Sequence, residues 1–206
     1  MKIKSIVNKI GNHTPAILSS EQFAKFAVLL PLIEKNNDIH LLFEVRSHKL
    51  RRQPGDICFP GGKMDPHDKT AQATAIRETT EELGISGEEI TDVHPIDYLV
   101  SPFGMLVYPF VGVVNHSANI EANPEEVEEV FTVPLAFFQD TKPEIHHVSM
   151  YVQPEDDFPY DLVAGGQDYE WRPLKMEEYF YMYDGRVIWG LTARIAAHFA
   201  ELIKER

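Results

Sequence analysis

The stretch F-P-G-G-K-M-D-P-H-D-K-T-A-Q-A-T-A-I-R-E-T-T-E-E-L-G-I, residues 59–85, decides how the rest of the chain is read. Its second half predicts a helix closed at both ends. Asp68 and Thr70 are N-cap residues by type, and Gly84 supplies the left-handed residue that ends a helix. At about 100° per residue, Ala73, Ile76, Thr80 and Leu83 fall on one face and Glu78, Glu81 and Glu82 on the opposite one. One face is expected to pack and the other to gather carboxylates.

Neighbours on a helix surface sit roughly 5–6 Å apart, where two like charges repel by about 3 kcal/mol at an effective dielectric near 20. For E-x-x-E-E alone, a solvated acidic face is the plain reading. The surroundings argue for more. Gly61 and Gly62 precede the helix and let a backbone approach a bulky anionic ligand or take positive φ. Ala71 and Ala75 share the carboxylate face without obstructing it, and Arg77 flanks it, placed to orient a glutamate by a charge-assisted hydrogen bond. Hard oxygen ligands with open positions suit Mg²⁺ or Mn²⁺, which share their shell with water and substrate phosphates. The stretch therefore predicts a diphosphate-plus-metal site.

At these residues the sequence resembles the Nudix hydrolases, whose box reads G-x5-E-x7-R-E-U-x-E-E-x-G-U with U apolar. Arg77, Glu78, Glu81, Glu82, Gly84 and Ile85 match it. Two positions depart. The spacing back to Gly62 is one residue longer, so the family's first acid is matched by Asp68 or, on a strict count, replaced by Lys69; and Thr79 stands where an apolar residue is usual. Upstream, Leu41, Leu42, Ser47, Arg51, Gly55, Phe59, Pro60, Gly61 and Gly62 resemble the motif of the coenzyme A pyrophosphatase branch, which also carries a lengthened box.

The resemblance implies an α/β fold, a Nudix-type α/β/α sandwich with a mixed β-sheet. It also implies metal-dependent cleavage of coenzyme A or acyl-coenzyme A to 3′,5′-ADP and (acyl-)4′-phosphopantetheine. The metal, Mg²⁺ or Mn²⁺, would be held by Glu78 and Glu82, with Glu81 as ligand or base and Arg77 orienting a glutamate. Two rivals stand beside this reading: a Nudix hydrolase for ADP-ribose or dinucleoside polyphosphates, and a module that senses a nucleotide without cutting it. The full set of box glutamates argues against the second.

The chain has 206 residues, 44% of them hydrophobic, and no Pro/Gly/Ser-rich linker, so a single domain over 1–206 is expected. A net charge of −13 argues against nucleic acid or an anionic membrane as partner. It leaves room for a small nucleoside diphosphate, because bound divalent cations invert the local charge logic. A homodimer is left open. Cys58 is the single cysteine and reads as a packed bystander, and the basic N-terminus lacks the apolar core of a signal peptide, which together suggest a cytoplasmic protein.

Arg46, His48, Lys49, Arg51 and Arg52 form a basic cluster before the glycine pair, either a solvated loop or a dock for an anionic part of the substrate. If it docks a phosphate, the planar fork of Arg51 is the leading candidate, with Lys49 and Arg52 behind it. Any of Glu125, Glu126, Glu128 and Glu129 could supply a further acid to the metal. Short helices are expected at 5–10 and 21–26, and strands at 27–33, 39–45, 94–101, 105–114, 147–152 and 179–183. A final helix is expected to open within I-W-G-L-T-A, residues 188–193, with Lys204 and Arg206 at its C-terminal dipole. His146 and His147 point to opposite faces of a strand and form no joint site. Tyr169, Trp171, Tyr179, Phe180 and Tyr181 read as packing aromatics before purine stackers.

Overall fold

Leu29 and Leu30, adjacent in sequence, are both fully buried, and Leu41 and Leu42 repeat the pattern. Successive strand residues point to opposite faces, so a sheet built from these segments is covered on both sides. The computed structural model describes residues 2–115 and 118–204. In it the chain runs α1 (Ile3–Gly11), β1 (Ala24–Lys35), β2 (Asp38–Arg46), β3 (Ile57–Cys58), β4 (Gly61–Lys63), α2 (Ala71–Leu83), β5 (Ile90–Pro95), β6 (Leu99–Ser101) and β7 (Met105–Val114). There follow β8 (Val127–Pro134), α3 (Leu135–Asp140), β9 (Glu144–Met150), β10 (Leu174–Tyr183), β11 (Arg186–Trp189) and α4 (Gly190–Leu202).

Strands β1 to β8 form one mixed sheet, in which β1 runs parallel to β7 and antiparallel to β2. The first half of β2 pairs with β1, but Glu44 and Val45 pair with β3, while Phe26, Ala27 and Val28 of β1 pair with β4. The glycine stretch is thus wedged into the sheet where β1 and β2 part.

Ala27, Leu29, Leu42 and Phe110 pack with Ala75 and Leu83 of α2 on one face. Leu30, Leu41, Phe43, Ile57 and Phe59 pack with Ile188 and with Ala196 and Phe199 of α4 on the other. The α/β/α arrangement is present, with a separate antiparallel sheet, β9-β10-β11, added to the α4 side. That added sheet is fastened by Arg186, which pairs with Glu129 at 2.5 Å and lies 4.7 Å over the Phe131 ring.

Several expectations change. The helix expected at 21–26 is only a turn at Ser20–Gln22, because pairing with β7 begins at Ala24. The strand expected at 94–101 divides into the end of β5 and a separate β6, each paired with a different part of β7. Ile188 and Trp189 belong to β11, and α4 starts at Gly190. Arg206 lies outside the described residues.

The largest correction concerns α2. Its buried residues are Thr74, Ala75, Thr79, Glu82 and Leu83, whereas Ala73, Ile76 and Thr80 are only half-buried. The helix lies over β4 and β1, so the side carrying Glu82 turns inward. Thr79 tolerates this burial by bonding its hydroxyl to the Ala75 carbonyl at 2.7 Å, which satisfies it within its own helix.

At the other end of the chain, no residue of α1 is buried. Among the described residues no helix is long and apolar enough to cross a membrane.

Phe43 is fully buried and its ring lies 4.6 Å from Phe59, 5.7 Å from Phe131 and 5.8 Å from Phe138. Phe43→Ala should lower the unfolding free energy by about 3–5 kcal/mol in urea titration. A loss below about 1 kcal/mol would mean that the α4-side core does not centre on this ring.

Candidate active site

Helix α2 starts where Thr70 caps it, its hydroxyl accepting from the Ala73 N–H at 3.1 Å. Asp68 is left for another task. Arg77 donates to it through Nε at 3.1 Å and Nη2 at 2.9 Å, the two-point geometry that fixes a guanidinium plane. Asp68 also accepts from the Thr74 hydroxyl and from the Asp65 N–H, both at 2.9 Å. These bonds, Arg77's first, hold the Asp68 carboxyl well below the usual range, and Asp68 in turn raises Arg77. From this pinned position Arg77 reaches Glu78 Oε1 at 2.9 Å and Glu81 Oε2 at 3.0 Å. The orienting arginine expected from the sequence is in place, and the acid of the lengthened spacing is its anchor.

The glycines act on the same carboxylates. Glu82 is nearly buried and accepts the Gly61 N–H at 2.8 Å. A Cβ on Gly62 would lie 2.4 Å from the Glu78 carboxyl carbon, and one on Gly61 would lie 2.4 Å from the Ala27 carbonyl oxygen. The sequence reading had these glycines let the backbone approach an anionic ligand or take positive φ, and Gly61 does take positive φ, at 151°. In the fold the space above them is filled by Glu78 and by strand β1, so the glycines let α2 lay its acids on β4.

A fourth carboxylate meets them. Glu44, 1% exposed on β2, points to the α2 side of the sheet and adds to the charge felt by Glu82. The thiol of Cys58 donates to its Oε1 at 3.3 Å, while its Oε2 is buried without a hydrogen-bond partner. Burial, followed by the Glu44 charge, pushes Glu82 up to about 9; burial likewise raises Glu44 to about 7, against the pull of Cys58 and Arg46. Glu78 is also raised, by burial before anything else. Burial and the Glu44 charge push the Cys58 thiol well up, so it is a donor and no nucleophile. Glu44 was not singled out in the sequence, although a charged residue inside the apolar run L-L-F-E-V was a usable signal.

Of the four later glutamates, Glu126 is the one whose charge acts on Glu44, Glu78 and Glu82. Glu125 pairs with Lys49 at 2.6 Å and Glu129 with Arg186. Glu81 sits on the outer rim, its side chain 54% exposed. Lys49 is thus neutralised, whereas Arg51 and Arg52 stand exposed on the turn with no ion pair among the described residues. Arg46 is half-buried, turned toward Glu44, and its Nε lacks a partner.

Among the described residues, no three His, Cys, Asp or Glu side chains already converge into a coordination shell. Glu78 is turned to Arg77 and Glu82 to the Gly61 N–H. The donor set nonetheless fits a hard divalent cation. It consists of carboxylate oxygens, burial raises Glu82 and also Glu44, the latter despite the pull of Arg46, and Glu44 Oε2 is an orphaned acceptor.

An arginine-pinned glutamate helix laid on a glycine strand of a mixed sheet defines a class. The chain belongs to the NUDIX domain family, whose model matches residues 25–151, and is a Nudix hydrolase. It is 41% identical over 134 residues to the peroxisomal coenzyme A diphosphatase NUDT7 of Mus musculus, a match covering 65% of this chain and only 56% of that protein. It is 36% identical over 178 residues to an uncharacterized Nudix hydrolase, NudL, of Photorhabdus laumondii, covering 86% of this chain and 84% of the relative. A solved binary complex of the C. elegans Ap4A hydrolase aligns with 54% of this chain and 80% of its own at 23% identity and TM-score 0.46.

A carboxylate raised in the fold keeps its proton where the unfolded chain has lost it, so stability falls as pH rises between the two values. For Glu82 and Glu44 that window opens near 4.5 and closes at about 9 and about 7 respectively. In EDTA the melting temperature should decline across this range, and Mg²⁺ should restore it most at the alkaline end. A melting temperature flat in pH and indifferent to the cation would show that these acids are not frustrated by charge.

Proposed function

We propose that the chain hydrolyses the diphosphate bond of coenzyme A or acyl-coenzyme A, releasing 3′,5′-ADP and 4′-phosphopantetheine or its acyl form. The observation that carries the chemistry is the gathering of carboxylates, in which burial raises Glu82 and Glu44, a pinned Arg77 holds Glu78, and the Glu126 charge acts on all three. Water adds its oxygen to one phosphorus, the bridging P–O bond breaks, and two phosphate monoesters leave. A divalent cation, Mg²⁺ or Mn²⁺, supplies positive charge to the phosphoryl oxygens and favours ionisation of the attacking water. Glu82 and Glu78 would hold it, with Glu126 and Glu44 as further acids. Arg77 keeps Glu78 in register, and Glu81, bonded to the same arginine but half-exposed at the rim, is the acid for ligation or proton transfer.

The choice of coenzyme A rests on two supports, the mouse relative's being a coenzyme A diphosphatase and the unpaired Arg51 and Arg52. ADP-ribose would use the same acids but offers no 3′-phosphate to those arginines. We read residues 1–206 as one domain, since a single core draws on Leu30 and Phe199 alike. A cytoplasmic setting suits one reduced cysteine.

Glu82→Gln copies the protonated carboxyl and retains the acceptor for Gly61. It should fold, bind divalent cation weakly, and lose about two orders of magnitude or more in kcat; near-normal turnover at low metal concentration would remove Glu82 from the ligand set. Arg51→Gln should raise KM for coenzyme A far more than for dephospho-coenzyme A. Equal losses on both would take Arg51 out of 3′-phosphate recognition, and much faster cleavage of ADP-ribose would overturn the substrate assignment.

A further inference from the structure

Glu126 lies in the turn before β8, exposed, yet its charge reaches Glu44, Glu78 and Glu82. An exposed glutamate has several rotamers open to it, so something must hold it if it is to serve the site. Its neighbours Glu125 and Glu129 are held by Lys49 and Arg186, which neutralise them. Glu126 has a different holder. Asn123 Nδ2 donates to its Oε2 at 3.1 Å, and among the described residues no other group bonds that carboxylate.

Asn123 is itself engaged through every polar group it has. Its N–H donates to the Glu82 carbonyl at 2.9 Å, meeting an acceptor that the last turn of a helix leaves open. Its carbonyl accepts from the Glu126 N–H at 3.0 Å and the Val127 N–H at 2.8 Å. Its Oδ1 accepts from the Glu125 N–H at 3.1 Å, closing an Asx turn. A backbone N–H can only donate and a carboxylate only accept, so the two side-chain contacts agree on which way the amide faces. The loop around it abuts the end of α2, where a Cβ on Gly84 would collide with the Glu121 carbonyl oxygen. From the other side, the Glu126 carbonyl accepts from the N–H of the fully buried Ser47 at 2.8 Å.

The Glu126 backbone is thus set by α2 and β2, and its side chain by one amide. That the holder is an amide matters chemically. A lysine or arginine there would neutralise the acid, whereas a neutral donor orients it and leaves its charge for a cation, as the Gly61 N–H does for Glu82 and the Cys58 thiol for Glu44. We infer that Asn123 is a positioning residue: it registers Glu126 against Glu82 and holds it as the acid that completes the cation site from outside α2. This rests on the metal-dependent hydrolase reading above.

The two ends of the amide make the role separable from folding. Asn123→Asp keeps the oxygen that closes the turn onto Glu125 and replaces the donor to Glu126 with a like charge. On the full chain, with coenzyme A and Mn²⁺, it should lower kcat about tenfold while KM and melting temperature stay close to the wild type. Glu126→Gln should lower kcat about a hundredfold. In the double variant the glutamine amide can donate to the aspartate, which remakes the contact without an acid, so its kcat should equal that of Glu126→Gln alone. A second readout needs no turnover. An aspartate that merely adds charge tightens Mn²⁺ binding, whereas release of Glu126 weakens it; electron paramagnetic resonance of free Mn²⁺ should show weaker binding by Asn123→Asp. Unchanged kcat, tighter Mn²⁺ binding, or a double variant well below Glu126→Gln would each overturn the assignment. So would a fall in kcat matched by a lower melting temperature and a higher KM, the mark of a residue that only folds its loop. If the wild type cleaves ADP-ribose and not coenzyme A, the substrate assignment fails, and the same ratios on ADP-ribose decide the role of Asn123. Turnover of neither ends both readings together.

Discussion

The burial of like charges under a glycine strand is the constraint from which the rest follows. Glu82 and Glu44 are 6% and 1% exposed; burial raises the proton affinity of both, and the Glu44 charge raises that of Glu82 further. A buried carboxylate without a counter-charge is costly to ionise. The fold answers these acids with two neutral donors, the Gly61 N–H and the Cys58 thiol, and with the charge of Arg46 near Glu44, which does not offset the burial. Such a site is poised for an external cation, since binding one removes the repulsion and the unmet hydrogen-bonding demand together.

Keeping those acids in position requires rigidity that the acids cannot supply. Asp68 and Arg77 provide it. Asp68 is fixed by Thr74 and by the turn at Asp65, and the guanidinium it grips has no freedom left when it reaches Glu78 and Glu81. The chain therefore uses one acid as an anchor so that others remain available. The lengthened spacing before Arg77 keeps this geometry, because what it must preserve is the reach from Asp68 to the guanidinium and no count of residues along the chain.

Helix α2, with its arginine and glutamates, was legible in the sequence because caps, period and charge all lie within one short segment. Its orientation was not. The face that buries was assigned by helical period to Ala73, Ile76, Thr80 and Leu83, of which Leu83 alone is buried; the inward face also carries Glu82, because β4 pairs with β1 more than thirty residues upstream and places a side-chain-free surface under the acids. Non-local pairing leaves no local trace. Glu44 did leave a local trace, a charge inside the apolar run L-L-F-E-V, but its meaning depends on a helix it meets only in the fold. Strand β9 left a weak signal because nearly all of its residues are exposed, which removes the alternation that marks a half-buried strand. The four late glutamates looked alike until pairing with Lys49 and Arg186 set two of them aside.

The two faces of the sheet divide the work. On the α2 side, charge is concentrated at the expense of stability. On the α4 side, Phe43, Phe59, Phe131 and Phe138 form an aromatic cluster without a carboxylate, edged by Arg186 and Tyr181. Strands β2 and β3 carry both in alternation, Phe43 beside Glu44 and Ile57 beside Cys58. Because side chains alternate with a period of two, the residues that stabilise the sheet and those that strain it are neighbours in sequence but do not touch. Stability lost to the acids is offset one residue away, on the opposite face of the same strand.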